Sequence, residues 1–306
     1  MKKAKALVLL SGGLDSILAA ELLRRQGADV QALSFKSYFF NGEAAKKAAR
    51  DMDIPLRVAD FSEEHLELVK NPPHGFGKAA NPCIDCHALM LKKAKEIMEK
   101  EGFDFVATGE VLGERPMSQN KQSLEIVQRE SSLGGYLLRP LSAKLLPPTI
   151  PEEKGLVDRE KLLDISGRSR KKQMELAEMW GIKDYPSPAG GCLLTDPGFG
   201  RRLRELLQIY PEFDGNDVQL LRVGRHFWEY SAKIIVGREE KENNDIRGLA
   251  RKGDVLIEMK DYPGPLTLVR NYYSGDAFKA VEKAKQLTRE YSKKAGLGAE
   301  FLIDKR

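Results

Sequence analysis

The feature that most constrains this chain is a six-residue loop, Ser11-Gly12-Gly13-Leu14-Asp15-Ser16, set between an apolar run ending at Leu10 and a stretch with helical spacing at Ile17, Leu18 and Leu22. Two consecutive glycines permit positive φ or close backbone approach, so successive N–H groups can wrap an anion. The N-terminus of the following helix adds partial positive charge. Ser11 and Ser16 contribute hydroxyls, and Asp15 is the residue type that holds the Mg²⁺ of a bound nucleotide. A plain strand–turn–helix junction capped by Asp or Ser is the alternative. Two serines, two glycines and an aspartate at these spacings, directly after a strand, favour the phosphate loop. The loop is neither a Gly-Lys-Ser P-loop nor a dinucleotide fingerprint.

Strand-like and helix-like segments alternate from there. Lys5–Leu10, Val30–Phe35, Arg57–Phe61 and Phe103–Thr108 read as strands, with helices at Asp15–Arg25, Glu43–Asp51 and His87–Lys100. This rhythm predicts a parallel α/β sheet with helices on both faces and a ligand site at the carboxyl ends of its strands. It breaks near residue 140, where Leu145-Leu-Pro-Pro-Thr-Ile-Pro151 cannot continue a helix. Helices are expected again around Arg159–Leu163 and Lys171–Trp180, followed by a Pro/Gly-rich loop from Tyr185 to Cys192. Beyond it come short strands at Lys233–Val236 and Val255–Met259 and a charged helix at Gly275–Lys294. A boundary near residue 210 divides a domain over residues 1–210 from a smaller α+β domain over 211–306.

The Ser-Gly-Gly-x-Asp-Ser pattern at this location resembles the PP-loop ATP pyrophosphatases (adenine nucleotide alpha hydrolase-like fold), which cut ATP between its α and β phosphates. The resemblance implies ATP and Mg²⁺ bound at Ser11, Gly12, Gly13, Asp15 and Ser16. Thr108-Gly109-Glu110-Val111-Leu112-Gly113 resembles the Gly-Glu-x-Leu-Gly segment of tRNA 4-thiouridine synthetases. Ser118-Gln119 and Arg139-Pro140-Leu141 are similar to that family's Ser-Gln and Arg-Pro-Leu segments, the first with one extra residue before it. Thr108 and Gly109 would approach the nucleotide, and Arg139 would balance charge on the α-phosphate. The implied activity is an ATP-dependent tRNA sulfurtransferase that adenylates a uridine carbonyl oxygen and replaces it with sulfur, with 4-thiouridine favoured over 2-thiouridine. A PP-loop amide-forming ligase on a small molecule and a non-catalytic RNA-binding protein are the alternatives.

The chain has three cysteines: Cys83 and Cys86 in a C-x-x-C, and Cys192. Three cysteines in 306 residues are no disulfide framework. Cys-x-x-Cys-His matches c-type haem attachment, which needs an exported chain and is rejected. Three readings stay open: a structural zinc site with His87, a persulfide or disulfide relay, and a 4Fe–4S cluster on three cysteines with one open iron. The cluster is favoured, because the set resembles cluster-dependent tRNA thiolases of the same superfamily. Asp15, Cys83, Cys86 and Cys192 are thus the candidate catalytic residues. The sulfur donor would be sulfide or a persulfide carrier.

Val236-Gly237-Arg238 through Asn244-Asp245, with Lys260-Asp-Tyr-Pro-Gly264, resembles the NFACT-R RNA-binding domain over roughly residues 230–295. Two basic clusters, Arg168/Arg170/Lys171/Lys172 and Arg201/Arg202/Arg204, are candidate tRNA phosphate contacts. The net charge of +5 permits such a partner without demanding it. A composition of 42% hydrophobic and 31% charged residues excludes a wholly disordered, collagen-like or coiled-coil chain. The apolar run at Ala6–Leu10 is too short for a signal peptide and no stretch is long enough to span a bilayer. A cytoplasmic protein without membrane partners is therefore expected, with a homodimer left open.

Overall fold

The computed structural model describes residues 3–187, 191–273, 278–292, 296 and 298–306. They form two compact units, Met1–Thr195 and Asp196–Arg306. The division falls before helix Pro197–Ile209, not at residue 210, because Phe199, Leu203 and Leu206 of that helix are buried.

The first unit is built on a parallel sheet of β1 (Lys5–Leu9), β2 (Asp29–Lys36), β3 (Leu56–Asp60), β4 (Phe105–Thr108) and β5 (Leu137–Leu138), in the order β3-β2-β1-β4-β5. Its helices are α1 (Leu14–Arg25), α2 (Glu43–Asp51), α3 (Ser62–Lys70), α4 (Cys83–Glu101), α5 (Lys121–Glu130), α6 (Ile150–Glu153) and α7 (Lys171–Met179). Strand periodicity explains why the strands read as continuous apolar runs. Ala6 and Val8 face one layer with Leu18, Leu22 and Ala177, whereas Leu7 faces the other with Leu91, Ala94 and Met98. Both faces are therefore core.

β1 pairs with β2 on one side and with β4 on the other. Strand order thus reverses at β1, which opens a crevice outside the carboxyl ends of β1 and β4. The six-residue loop and the Thr108–Gly113 segment both leave the sheet there.

The predicted strands and the helices at Glu43–Asp51 and Lys171–Trp180 are present within a residue or two. Three differences matter. α4 begins at Cys83, four residues before the expected start, so the C-x-x-C occupies a first helical turn instead of a loop. Arg159–Leu163 holds only a single 3₁₀ turn at Arg159–Lys161. Within Leu145–Pro151 the Pro147-Pro148 pair is non-helical, yet Ile150 and Pro151 open the short α6, since proline is tolerated in a first turn.

The second unit carries an antiparallel sheet of β6 (Arg225–Glu229), β7 (Ala232–Val236), β8 (Val255–Met259), β9 (Thr267–Asn271) and β10 (Phe301–Lys305), in the order β10-β8-β9-β7-β6. α8 (Pro197–Ile209), α9 (Gly215–Leu220), α10 (Glu240–Leu249) and α11 (Phe278–Glu290) complete it. Ile234, Val236 and Val269 pack with Ala280, Ala284 and Leu287 of α11, whereas Ile235, Leu256 and Leu268 pack with Leu220 and Ile246. The expected α+β domain is therefore present. The ends of the charged helix expected over 275–294, residues 275–277 and 293–294, lie outside the described residues, as do 188–190 of the Pro/Gly loop.

Arg270 on β9 is 2% exposed and binds Asp254 through two nitrogens, at 3.0 and 2.7 Å, and Asp217 at 2.7 Å. Removing one partner from such a buried network costs about 3–5 kcal/mol, because the remaining charge is left without compensation. Arg270→Met should lower the urea stability of this unit by that amount, followed by Trp228 fluorescence in a Trp180→Phe background. A loss below 1 kcal/mol would show that the network is not the unit's anchor.

Candidate active site

At the phosphate loop, Gly12 adopts φ +82°, and a Cβ there would fall 2.3 Å from the Ala44 carbonyl carbon. Only glycine fits. The Ser16 hydroxyl donates to the Gly13 carbonyl at 2.8 Å and accepts from the Ser11 N–H at 3.2 Å, while the Gly13 N–H donates to Ser11 Oγ at 3.3 Å. The first intrahelical bond runs from the Ile17 N–H to the Gly13 carbonyl, so the N–H groups of Leu14, Asp15 and Ser16 precede the helical ladder. The loop is a preformed concavity of donors at a helix N-terminus.

The second segment is locked onto the first. A Cβ on Gly109 would lie 2.5 Å from the Ser16 nitrogen, so β4 can end against α1 only with glycine at this position. Next to it, the Glu110 carboxylate is 6% exposed. It accepts from Arg139 Nε at 2.9 Å and Thr108 Oγ1 at 3.1 Å, and its other oxygen meets His87 Nδ1 at 2.8 Å. Burial alone would raise its pKa; the Arg139 guanidinium and His87 overcome burial and bring it down to about 2.

Arg139 itself is 3% exposed and also donates to Gln128 Oε1 and to the Leu124 carbonyl. It therefore positions Glu110 and does not stand open to a phosphate, because its guanidinium is consumed inside the sheet's edge. The Thr108 hydroxyl is likewise turned to Glu110.

His87 is on α4, one residue after Cys86, so Glu110 ties the cysteine helix to the phosphate loop. Cys83 and Cys86 are three residues apart on the first turn of α4 and share one side of it. Cys83 Sγ accepts from Asn81 Nδ2 at 3.1 Å. Cys192 is brought in by backbone bonds of the two residues that follow it: the Leu193 N–H donates to the Phe39 carbonyl at 3.0 Å, and the Ala80 N–H to the Leu194 carbonyl at 3.1 Å. The three thiols act on one another electrostatically. Burial, then the neighbouring Cys192 and Cys83, hold the Cys86 thiol well above its ordinary range. Burial, with Cys83 adding to it, pushes Cys192 up to about 11. The Arg115 charge lowers the pKa of both Cys192 and Asp15.

Several residues here carried no assigned role in the sequence reading. Glu110 sat inside a motif that was recognised, whereas His87 entered only as an awkward zinc ligand. Glu114, Arg115 and Gln173 gave no signal, since their roles depend on the return of residues 165–173 to the β4 loop through the Gly167 N–H to Leu112 carbonyl bond of 2.8 Å.

The basic clusters divide. Arg168 is exposed; Lys171 and Lys172 are exposed and pair with Glu175 at 3.8 Å and Asp164 at 3.2 Å. Arg170 instead turns inward, 3.9 Å from Glu114 and beside Asp15. Arg201 and Arg204 are exposed on α8, but Arg202 is half-buried, donating to the Leu221 carbonyl at 2.9 Å and covering the Phe199 ring. Arg170 and Arg202 are therefore corrected from free surface cations to packed ones.

Residues 1–144 match the family described as thiamine biosynthesis protein (ThiI), and residues 224–299 match the NFACT protein RNA binding domain. Each match covers the segment whose motifs resemble that family. A probable tRNA sulfurtransferase of Thermoanaerobacter sp. (strain X514) is 34% identical over 146 residues, covering 45% of this chain and 36% of that protein. A tRNA-specific 2-thiouridylase of Caldicellulosiruptor saccharolyticus is 29% identical over 166 residues, covering 46% of this chain and 41% of that protein. The chain therefore spans well under half the length of these curated relatives. A solved 4-thiouridine synthetase–RNA complex with bound ATP aligns with a TM-score of 0.41 and 22% identity, over 68% of this chain and 52% of that one.

Glu110 has a folded-state pKa below the ordinary 4.5, so its pairing contributes stability above that value and loses it as pH falls toward about 2. Glu110→Gln should cost about 3–5 kcal/mol at neutral pH, because Arg139 is left buried and unpaired. It should also flatten the acid slope of urea stability between pH 4.5 and about 2. An unchanged slope would remove Glu110 from its linking role.

Proposed function

We propose that this chain is an ATP-dependent tRNA sulfurtransferase. Its first unit activates a uridine carbonyl with ATP and exchanges the oxygen for sulfur. The observation that carries this reading is the convergence of a phosphate-binding loop and three thiols at one switch point of a parallel sheet, with Glu110 bonded to the cysteine helix and Gly109 packed on the loop. The matched tRNA-modifying relatives support the substrate class.

The Ser11–Ser16 donors hold the β- and γ-phosphates, with Asp15 toward the divalent cation. The uridine carbonyl oxygen attacks the α-phosphorus, and the α–β bridging bond breaks as pyrophosphate leaves. Cationic groups and backbone donors stabilise the charge on the departing pyrophosphate. Sulfide then adds to the activated ring carbon, the carbon–oxygen bond breaks, and AMP departs with the original uridine oxygen. With sulfide as donor no oxidant or reductant is required. A persulfide donor would need two electrons returned by a second thiol.

Cys83, Cys86 and Cys192 are the residues that would hold a 4Fe–4S cluster. The donor set fits such a group: Cys86 is buried among apolar side chains, and the thiols of Cys86 and Cys192, both held above their ordinary range, need a cation to become thiolates. Bound there, the cluster would supply an iron site open to sulfide. A structural zinc site fits less well. At Zn–S distances of about 2.3 Å, tetrahedral sulfurs lie only about 3.8 Å apart. Among the described residues, the group of ligand atoms that close together is His74, Asp85 and Glu130, with no cysteine in it. The Gly-Glu-x-Leu-Gly segment favours 4-thiouridine as product, and the 2-thiouridylase relative keeps 2-thiouridine as the second reading.

Purified anaerobically, the protein should be brown and contain iron; a colourless, zinc-loaded protein with full activity would exclude the cluster. In a reaction of tRNA, MgATP and sulfide, Asp15→Ala should lower pyrophosphate release by about 10²–10³-fold. Cys192→Ala should abolish thiouridine while retaining pyrophosphate release. Thiolation that persists without Cys192 would remove that thiol from sulfur delivery, whereas a wild-type chain that releases pyrophosphate without tRNA and forms no thiouridine would favour the small-molecule ligase.

A further inference from the structure

Two carboxylates beside the phosphate loop act on one another electrostatically. Asp15 comes from the first turn of α1, and Glu114 from the loop that follows β4. The placement of Glu114 is fixed by backbone. Gly113, at φ +80°, donates to the Gln119 carbonyl at 2.7 Å, the Glu114 N–H donates to the Val111 carbonyl at 3.2 Å, and a Cβ on Gly113 would lie 3.4 Å from the Gly167 nitrogen. This close approach to residue 167 delivers Glu114 toward α1.

The cluster is short of partners. Asp15 Oδ1 is buried and accepts no hydrogen bond. Gln173, at 0% exposure on the first turn of α7, lies beside Asp15, and neither of its amide atoms has a partner. Arg170 Nε is also unpartnered and stands 3.9 Å from Glu114, beyond hydrogen-bond length. Burial raises the pKa of both acids, and the charge of Asp15 raises that of Glu114 further. Each buried polar group left unbonded carries an uncompensated desolvation penalty that a bound ion would relieve. Neighbouring carboxylates beside a phosphate cradle, with an orphaned oxygen on one of them, are what a hard divalent cation takes, together with water and phosphate oxygens.

We propose that Glu114 is a second protein ligand for the nucleotide's divalent cation, together with Asp15. The proposal rests on the ATP-binding reading of this site. Asp15 alone leaves the cation one protein charge; Glu114 supplies the second, from a different element. Cation binding would then fix the β4 loop against α1. Arg115 follows Glu114 directly, so the same event would hold the residue whose charge acts on Cys192.

The test is equilibrium binding of α,β-methylene-ATP with Mn²⁺, read by the electron paramagnetic resonance of bound manganese, and of the same nucleotide in EDTA. Glu114→Gln should weaken the manganese–nucleotide complex about tenfold or more while leaving metal-free nucleotide binding unchanged. Glu114→Asp should recover part of the loss. Wild-type affinity for the manganese complex in Glu114→Gln would overturn the proposal. So would equal losses with and without metal, since Glu114 would then be only a structural partner of Arg170. If wild-type protein binds neither form, the ATP reading fails and the cation site with it. If wild-type protein binds both and the variant matches it, the ATP reading stands alone.

Discussion

The Glu110 carboxylate is the interaction on which the first unit's site depends. It is buried at the end of β4 and is bonded at once to Arg139 beyond β5, to Thr108 on its own strand, and to His87 on the cysteine helix. A carboxylate in this position would be costly without these partners. With them it becomes a fixed negative centre around which three elements are registered. Its neighbour Gly109 touches the backbone of Asp15 and Ser16, so the same short segment also sets the distance between β4 and the phosphate loop. Displacing Glu110 would loosen the two halves of the site from each other while leaving most of the hydrophobic core untouched.

The site's electrostatics divide the same way. Around the phosphate loop, backbone donors and arginines create a region that favours anions. Around the cysteines, burial keeps the thiols of Cys86 and Cys192 protonated, with Cys192 at about 11. Thiols in such surroundings are poor nucleophiles by themselves and good ligands once a cation replaces their protons. Under the proposed function, this separates the step that needs a negative leaving group from the step that needs a soft sulfur atom. The exposed Arg115 carries a charge that acts on both Asp15 and Cys192.

Much of this was legible in the sequence because it depends on short-range pattern. The alternating apolar runs define β1 to β4, and the Ser-Gly-Gly-x-Asp-Ser loop has its form because Gly12 has no side chain to obstruct it. Cys83 and Cys86 could be grouped from spacing alone. What stayed hidden depends on contacts distant in sequence. Arg139 reads as a phosphate ligand until its burial against Glu110 is seen. Arg170 reads as one of a surface cluster until the 165–173 segment is found folded back on the β4 loop. Helix α5 escaped notice because its apolar face, with Leu124 and Val127 buried, is short among polar residues. Arg202 shows the same limit in the second unit, where its apolar stem and guanidinium serve packing.

Thiolation of a tRNA uridine is tested most directly by nucleoside mass spectrometry of total tRNA from cells lacking this gene, compared with the same cells carrying the wild-type or the Cys192→Ala chain. One thiouridine should disappear on deletion, return with the wild-type chain and stay absent with Cys192→Ala; its fragment mass and retention identify the 4- or 2-thio isomer. A full complement of thiouridines in the deletion strain would contradict the assignment of this chain to tRNA sulfur transfer.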